Sequence, residues 1–187
     1  MTEYIAYHGT NSDNLESIKK NGFQPSFSHN EWLGSGVYFF IEGAFCPITN
    51  ARNWAISGAW DKKFGKYTYS NYTILMTIVG GDRVLDLRNE EDLKLFDELR
   101  THILNRYEIE KSKFRLNMHP DTFLCNAIAT SMKLDILIQN FYIKTKDQRI
   151  KRFHSRVPNC TVLCAKESAK IELEHIDIIE TKGVPHE

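Results

Sequence analysis

The chain has 187 residues, of which 42% are hydrophobic and 12% aromatic, and its 24 basic residues are balanced by 24 acidic ones. This composition is too apolar for a disordered chain and the length allows a hydrophobic core, so we expect one globular domain over residues 1–187. The absence of net charge excludes a global field that would draw the protein to nucleic acid or to a membrane surface, so any such preference must be local.

The N-terminal residues and the cysteines indicate where the protein works. The first ten residues, MTEYIAYHGT, have no basic flank and no apolar run of signal-peptide length, and nowhere do about 18 apolar residues follow one another. We therefore expect a cytoplasmic protein with no membrane partner. The four cysteines lack the spacing of a metal site, so we expect reduced core thiols and no bound metal. They are Cys46, Cys125, Cys160 and Cys164.

The first third of the chain predicts two strands and two helices. Residues 4–10, YIAYHGT, alternate β-forming side chains and end in turn-forming ones, which predicts a strand. Residues 12–23, SDNLESIKKNGF, predict a short helix with polar N-cap candidates at its start and Gly22 as its C-cap. Residues 32–40, WLGSGVYFF, predict a second strand bounded by glycines. Apolar side chains at helical spacing then predict a helix over residues 48–60.

The rest of the chain predicts helices and strands that do not alternate regularly. Helical spacing of apolar residues predicts helices over residues 90–107 and 121–132, the second capped by Asp121. Runs of β-branched and aromatic residues predict strands at 71–79, 83–87, 134–143, 159–166 and 170–180. Without regular alternation a doubly wound parallel sheet is disfavoured, so we expect an α+β domain with mostly antiparallel sheets.

Three motifs follow one another within the first 55 residues. They are YHGT at residues 7–10, GSGVYFF at residues 34–40 and NARNWA at residues 50–55. In this order they resemble the diphtheria-toxin and poly(ADP-ribose)-polymerase-like ADP-ribosyltransferases, whose His-Tyr-Glu signature joins a strand ending in His-Gly-Ser/Thr to a Gly-x-Gly-apolar-Tyr-Phe strand. The resemblance implies a split β-sandwich of two mostly antiparallel sheets with flanking helices, and NAD as co-substrate.

Carried over position by position, the resemblance implies a role for each motif residue. His8 corresponds to the histidine that hydrogen-bonds the adenosine ribose of NAD. Gly9 corresponds to the glycine whose backbone holds the nicotinamide carboxamide, with Thr10 beside it. Tyr38 corresponds to the tyrosine that packs against the nicotinamide ring, and Trp54 to a second aromatic that closes the sandwich. The glycines of the second motif are Gly34 and Gly36.

These residue types suit the chemistry that the resemblance implies. A bound nicotinamide needs a flat apolar slot, and a glycine lets backbone approach the ligand without a Cβ in the way. Cleavage of the glycosidic bond leaves a neutral nicotinamide and positive charge on the ribose. The enzyme must therefore hold NAD in a bent geometry and stabilise that charge, which is normally the work of a carboxylate.

The third motif of the family, a late strand that opens with glutamate, has no acidic counterpart here. Aligning residues 159–166, NCTVLCAK, places Cys160 at the glutamate position, or Asn159 after a slip of one residue. Three explanations are open. The protein belongs to the type that lacks the glutamate and transfers single ADP-ribose units, which we favour; or an acid comes from elsewhere; or NAD or ADP-ribose is bound without catalysis. The acids considered are Glu167, Glu42 and Asp86.

A basic segment precedes that strand. Residues 143–159 contain six basic side chains and one acid, Asp147, so the local charge is plus five in a neutral protein. In this family the loop that enters the glutamate strand shapes the acceptor site, and basic residues interleaved with aromatic ones suit phosphate contacts and stacking on unpaired bases. The basic residues are Lys144, Lys146, Arg149, Lys151, Arg152 and Arg156.

Together these features favour an NAD-dependent mono-ADP-ribosyltransferase that modifies a base of RNA or single-stranded DNA. The resemblance and the small size of the chain imply a bacterial or phage-related toxin or effector. An unpaired base is favoured because the attacking atom must be unstacked to reach NAD. The alternatives are transfer to a protein side chain, hydrolysis of NAD, and a non-catalytic module that binds NAD or ADP-ribose. An inhibitor or antitoxin protein is left open as a further partner. Residues 82–140 receive no functional assignment.

Overall fold

A large mixed sheet with helices on both of its faces organises the chain. The computed structural model describes residues 1–61, 63–110 and 119–185. Within these residues an eight-stranded sheet, a two-stranded ribbon and five α-helices form the α+β architecture that the sequence predicts.

The strands are β1 (Thr2–Asn11), β2 (Val37–Ile41), β3 (Trp60–Asp61), β4 (Lys66–Tyr67), β5 (Asn71–Gly81), β6 (Val84–Asp86), β7 (Ile136–Phe141), β8 (Cys160–Ala165), β9 (Lys170–Ile171) and β10 (Asp177–Gly183). The helices are α1 (Leu15–Asn21), α2 (Pro47–Ala59), α3 (Glu90–Glu110), α4 (Pro120–Met132) and α5 (Lys146–Ile150). Two 3₁₀ turns cover Ser12–Asn14 and Leu173–His175.

The strand order is β10-β5-β1-β2-β8-β7-β6, and β9 also pairs with β5. Every pairing is antiparallel except that of β6 with β7. β1 pairs with β5 from Thr2 to Asn11, whereas it meets β2 at one registered pair, Tyr7 with Phe40. The paired stretch of β1 and β2 is therefore short, and the two strands separate on either side of it.

Both faces of the sheet are buried at β2. Because side chains alternate along a strand, β2 directs Phe40 to one face and Phe39 to the other. Phe40 belongs to the core cluster that includes Ala51 of α2, and Phe39 belongs to the cluster that includes Ile18 of α1. Helices thus cover each face of β2. A cleft can open at the β1–β2 junction, where the two strands separate.

Gly9 sets the distance between β1 and α2. A Cβ added to this glycine would lie 2.8 Å from the carbonyl carbon of Ala51, and closer still to its oxygen. Only a residue without a side chain permits such an approach of strand and helix. The contact fixes α2 against the sheet and so positions Trp54 one helical turn farther along.

A charged network ties α2 to the edge of the sheet. The Arg52 guanidinium donates to both carboxylate oxygens of Glu180 in β10, at 2.8 and 2.9 Å, and the Tyr72 hydroxyl donates to the same carboxylate at 2.6 Å. These bonds hold the pKa of Glu180 well below its ordinary value of 4.5.

Most of the predicted elements are confirmed, with corrections at their ends. Residues 32–40 form a strand only from Val37, because Gly34 with φ of 76° interrupts the extended backbone. The N-cap of α4 is His119 and not Asp121, because Pro120 lacks an N–H and occupies the first helical position.

Two further expectations are wrong. Residues 170–180 form two strands joined by a 3₁₀ turn, because β9 pairs with the end of β5 and β10 with its beginning. All four cysteines are free, and three are buried as expected, but Cys46 is exposed just before α2.

Candidate functional site

A cavity of about 360 Å³ opens where β1 and β2 part. It is enclosed by the sheet, by α2 and by residues 22–36, which we call the cavity loop. His8, Tyr38 and Trp54, which the sequence motifs single out, all line it, and so does Gly36. Its volume lies in the range of small-molecule sites.

His8 is held in one tautomer. Its Nδ1 lies 2.9 Å from the carbonyl oxygen of Tyr38, which can only accept, so Nδ1 carries the proton. Burial lowers the pKa of His8 below its ordinary value of 6.5, although the bond to Tyr38 opposes the shift, and the ring is neutral at pH 7. The rings of Phe23 and Phe39 pack edge-on against it at 5.2 and 5.8 Å. Nε2 is therefore an unprotonated acceptor for a hydroxyl group.

Tyr38 joins β2 to the cavity loop. Its hydroxyl donates to the carbonyl oxygen of Gly34 at 2.6 Å and accepts from the backbone N–H of Leu33 at 2.9 Å. Burial raises the pKa of Tyr38 far above its ordinary value, so the phenol stays protonated. The ring is fixed at both ends and presents an immobile apolar surface to the cavity.

Aromatic rings form the opposite wall. Trp54 meets Trp32 edge-on at 5.8 Å and Phe40 at 6.4 Å, and Trp32 also packs on Phe141 at 4.9 Å. Trp54 keeps 40% of its surface exposed, which leaves ring area for a ligand. The motifs did not reveal Trp32, although its place just before the Gly-x-Gly pair was a signal that could have found it.

Glu31 is a second residue that sequence reasoning missed. It lines the cavity beside Trp32, and the Ser26 hydroxyl donates a hydrogen bond to its carboxylate. The cavity loop is closed by backbone bonds between Ser26 and Gly36 at 2.8 and 3.1 Å. The Thr122 hydroxyl of α4 donates to the Glu31 carbonyl oxygen at 2.7 Å. The loop therefore holds a carboxylate over the site.

A second cavity, of about 310 Å³, lies on the other side of His8. Thr10 lines it together with His8, Asn14 and Gln24, and the Asn14 amide donates to the Thr10 hydroxyl at 2.9 Å. His8 is thus shared between a mostly aromatic cavity and a more polar one. Gly9, between His8 and Thr10, faces α2.

The residues at the expected glutamate position are engaged elsewhere. Cys160 is fully buried, its thiol donates to the Phe141 carbonyl oxygen at 3.2 Å, and burial raises its pKa to about 12. The Asn159 amide accepts from the Ile143 N–H at 2.8 Å and donates to the Ile143 carbonyl at 2.9 Å. Val162, two residues beyond Cys160 and on the same strand face, is the β8 residue that lines the cavity.

The three acids considered as replacements lie apart from His8. Glu167 lines a different cavity, of about 730 Å³, near the end of β8. Glu42 is exposed after β2, and Asp86 is paired with Arg88 at 2.6 Å. Among the residues that the structure describes, none of these three lines the cavity of His8 and Tyr38.

The basic segment is anchored at the rim of the same cavity. The Ser57 hydroxyl of α2 donates to the Lys144 carbonyl oxygen at 3.0 Å. The Arg149 guanidinium lies over the ring of Trp54, 5.9 Å from its centre, in a cation–π contact. The structure thus brings the third motif's entry loop to the aromatic wall.

The remaining side chains of the basic segment lie farther out. Lys146 Nζ lies 5.1 Å from the ring centre of Tyr67 in the small ribbon. Phe153 is 52% exposed. The exposed basic residues are Lys151, Arg152 and Arg156. The outer part of the basic segment therefore presents charge and an accessible aromatic ring to solvent.

In the described part of the chain no helix has the length and apolarity needed to cross a membrane. The same residues contain no group of three or more histidine, cysteine, aspartate or glutamate side chains placed to hold a metal ion.

Comparison with known proteins finds a distant relative. No model of a known protein family matches the chain, and no solved structure matches it. The chain is 26% identical to a protein of Methanocaldococcus jannaschii described only as uncharacterized, over 97% of this chain and 92% of the relative. The similarity spans nearly the full length of both chains, and it brings no activity with it.

Proposed function

We propose that the protein is an NAD-dependent mono-ADP-ribosyltransferase of the His-Tyr-Glu type. One observation carries the proposal. The His8 ring donates to the backbone of Tyr38, 30 residues away in sequence, so the two motif residues meet in a single cavity that Trp54 also lines. The pairing of β1 with β2 and the packing of α2 on the sheet bring these three residues together.

The two cavities on either side of His8 suit the two halves of NAD. The aromatic cavity between Tyr38 and Trp54 offers a slot for the nicotinamide ring, and the polar one beside Thr10 offers hydrogen-bonding groups for the adenosine half. The unprotonated Nε2 of His8 would accept a hydrogen bond from a ribose hydroxyl between them. The narrow β1–β2 junction supports the split β-sandwich that accompanies this activity.

The acceptor we propose is a base of RNA or single-stranded DNA. The basic segment supports this choice, because Arg149 lies over Trp54 and exposed Lys151 and Arg152 continue away from the cavity. Such a surface would contact phosphates while an unstacked base enters the site.

A non-catalytic module that binds NAD or ADP-ribose is the second candidate. The observation that favours it is the third motif, where Cys160 and Asn159 are bonded to the backbone and provide no carboxylate. Transfer of ADP-ribose to a protein side chain keeps the same donor site and changes only the acceptor.

Labelled NAD and a cell lysate test the proposal. The expected result is label on macromolecules that nuclease removes and protease leaves, with release of nicotinamide. Tyr38→Ala should abolish labelling, because it removes a wall of the donor cavity. NAD binding without nicotinamide release would instead identify the non-catalytic module, and label removed by protease alone would identify a protein acceptor.

A charge reversal tests the acceptor surface separately. The double variant Lys151→Glu and Arg152→Glu should lose labelling of RNA while NAD binding is unchanged, because these residues lie outside the cavity. The control is Lys19→Glu with Lys20→Glu, an adjacent pair of exposed lysines on α1, which should label RNA normally. Equal labelling by both double variants would rule out the basic segment as the acceptor site.

A further inference from the structure

We infer that Glu31 of the cavity loop supplies the catalytic carboxylate that β8 lacks. The inference rests on the proposed function and assigns the missing role to a residue between the first two motifs. Among the described residues that line the cavity of His8 and Tyr38, Glu31 alone carries a carboxylate.

Glu31 lines the cavity together with the motif residues His8, Tyr38 and Trp54. Its side chain is half-buried and accepts a hydrogen bond from the Ser26 hydroxyl. The charge of Glu31 is close enough to contribute to the raised pKa of Tyr38, behind the larger effect of burial. Glu31 thus shares its surroundings with the tyrosine that would stack on nicotinamide.

The cavity loop is anchored firmly enough to hold a catalytic group. The Lys166 ammonium donates to the carbonyl oxygens of Leu33 and Ser35, at 2.5 and 3.0 Å. The Ser35 N–H donates to the Asn126 side chain at 2.7 Å. These bonds join the loop to Lys166, just after β8, and to α4, and so fix the segment that follows Glu31.

The chemistry that Glu31 would perform follows from the charge of the reaction. The bond between ribose C1′ and the nicotinamide nitrogen breaks, and its electron pair leaves with neutral nicotinamide. Positive charge develops on the ribose, where a fixed carboxylate in a site shielded from water stabilises it. An amino group of the acceptor base forms the new bond to C1′, and its proton passes to the Glu31 carboxylate.

The test compares Glu31→Gln with the unaltered protein. Nicotinamide release should fall about a hundredfold, as when one preorganised electrostatic group is removed from an active site, while calorimetry shows unchanged NAD affinity. The matched control is Glu167→Gln, an exposed carboxamide variant in the other large cavity, which should keep full activity.

Each outcome separates the inference from the proposed function. An unaltered protein that releases no nicotinamide overturns both. Full activity of Glu31→Gln overturns the inference and leaves the transferase intact, as does a loss explained wholly by weaker NAD binding. If Glu31→Gln fails to fold, Ser26→Ala decides. It keeps the carboxylate but removes its hydrogen bond, so it should lower nicotinamide release while NAD affinity is unchanged; an unchanged rate of release would overturn the inference.

Discussion

The hydroxyl group of Tyr38 joins β2 to the cavity loop through two hydrogen bonds, and a conservative substitution removes both. Tyr38→Phe keeps the ring, and with it the wall of the donor cavity. The N–H of Leu33 loses its partner, and the carbonyl oxygen of Gly34 keeps only the long contact with the Cys164 thiol at 3.9 Å. Leu33 is 1% exposed, so its N–H has no access to solvent in compensation.

The size of the effect follows from these two bonds. Each contributes about 0.5–1.5 kcal/mol net, and a buried N–H left without a partner costs about 1–3 kcal/mol. We therefore expect the free energy of unfolding to fall by about 1–3 kcal/mol. In a domain of this size the melting temperature should fall by about 2–4 °C for each kcal/mol.

Urea unfolding followed by circular dichroism measures the loss, and calorimetry with NAD measures the donor site. NAD affinity should fall less in Tyr38→Phe than in Tyr38→Ala, because the ring remains. The control is Tyr142→Phe, since in the described residues the Tyr142 hydroxyl is buried without a hydrogen-bond partner. That variant should be as stable as the unaltered protein or more so. Equal urea midpoints for the two phenylalanine variants would refute the reasoning.

Three other predictions concern packing and pH. Gly9→Ala should lose about 1–3 kcal/mol of unfolding free energy because its Cβ forces α2 off the sheet. Gly183→Ala in β10, whose Cβ would meet nothing closer than 3.9 Å, should not be destabilised in the same urea experiment. Glu180→Gln should lose about 1–3 kcal/mol at pH 7 and show less acid destabilisation. The pKa of Glu180 is lower in the folded protein than in the unfolded chain. The contribution of Glu180 to the free energy of unfolding is therefore present above pH 4.5 and is lost as the pH falls below that value. The pKa of His8 is lowered from 6.5 in the folded protein, so the unfolded chain takes up a proton at a higher pH than the folded one. The free energy of unfolding should therefore begin to fall as the pH drops below 6.5. The variant His8→Gln should lack this part of the pH dependence. Melting curves between about pH 3 and pH 8, an interval that spans the ordinary pKa values of carboxyl and imidazole groups, check both pH predictions.

Local patterns predicted most of the elements because they depend on neighbours in sequence. The alternation in β1, the apolar run of β5 and the helical spacing of α2 and α3 each report a buried face. Errors arose where a distant partner decided the backbone. The chain after β9 turns because both of its strands pair with β5, which no local pattern in that segment reveals.

The candidate site divides in the same way. The order of its motifs was enough to select His8, Tyr38 and Trp54, since each motif is a contiguous stretch with its own geometry. Tertiary structure brings Glu31 to these residues. Backbone bonds between Ser26 and Gly36 close the cavity loop, and further bonds anchor it to α4 and to Lys166 after β8. A side chain on a loop has no periodicity that points to its neighbours.

Sequence by itself determined the chemistry available to this protein: a histidine and a tyrosine at strand positions, aromatic side chains, and a basic segment. Tertiary structure alone decided which of these groups meet. The register of β8 places Val162 at the cavity and buries Cys160, and the parting of β1 from β2 after a single pair opens the space. Strand register and loop closure depend on contacts between residues far apart in the chain, and for that reason no local pattern in residues 22–36 indicates that Glu31 lines the cavity.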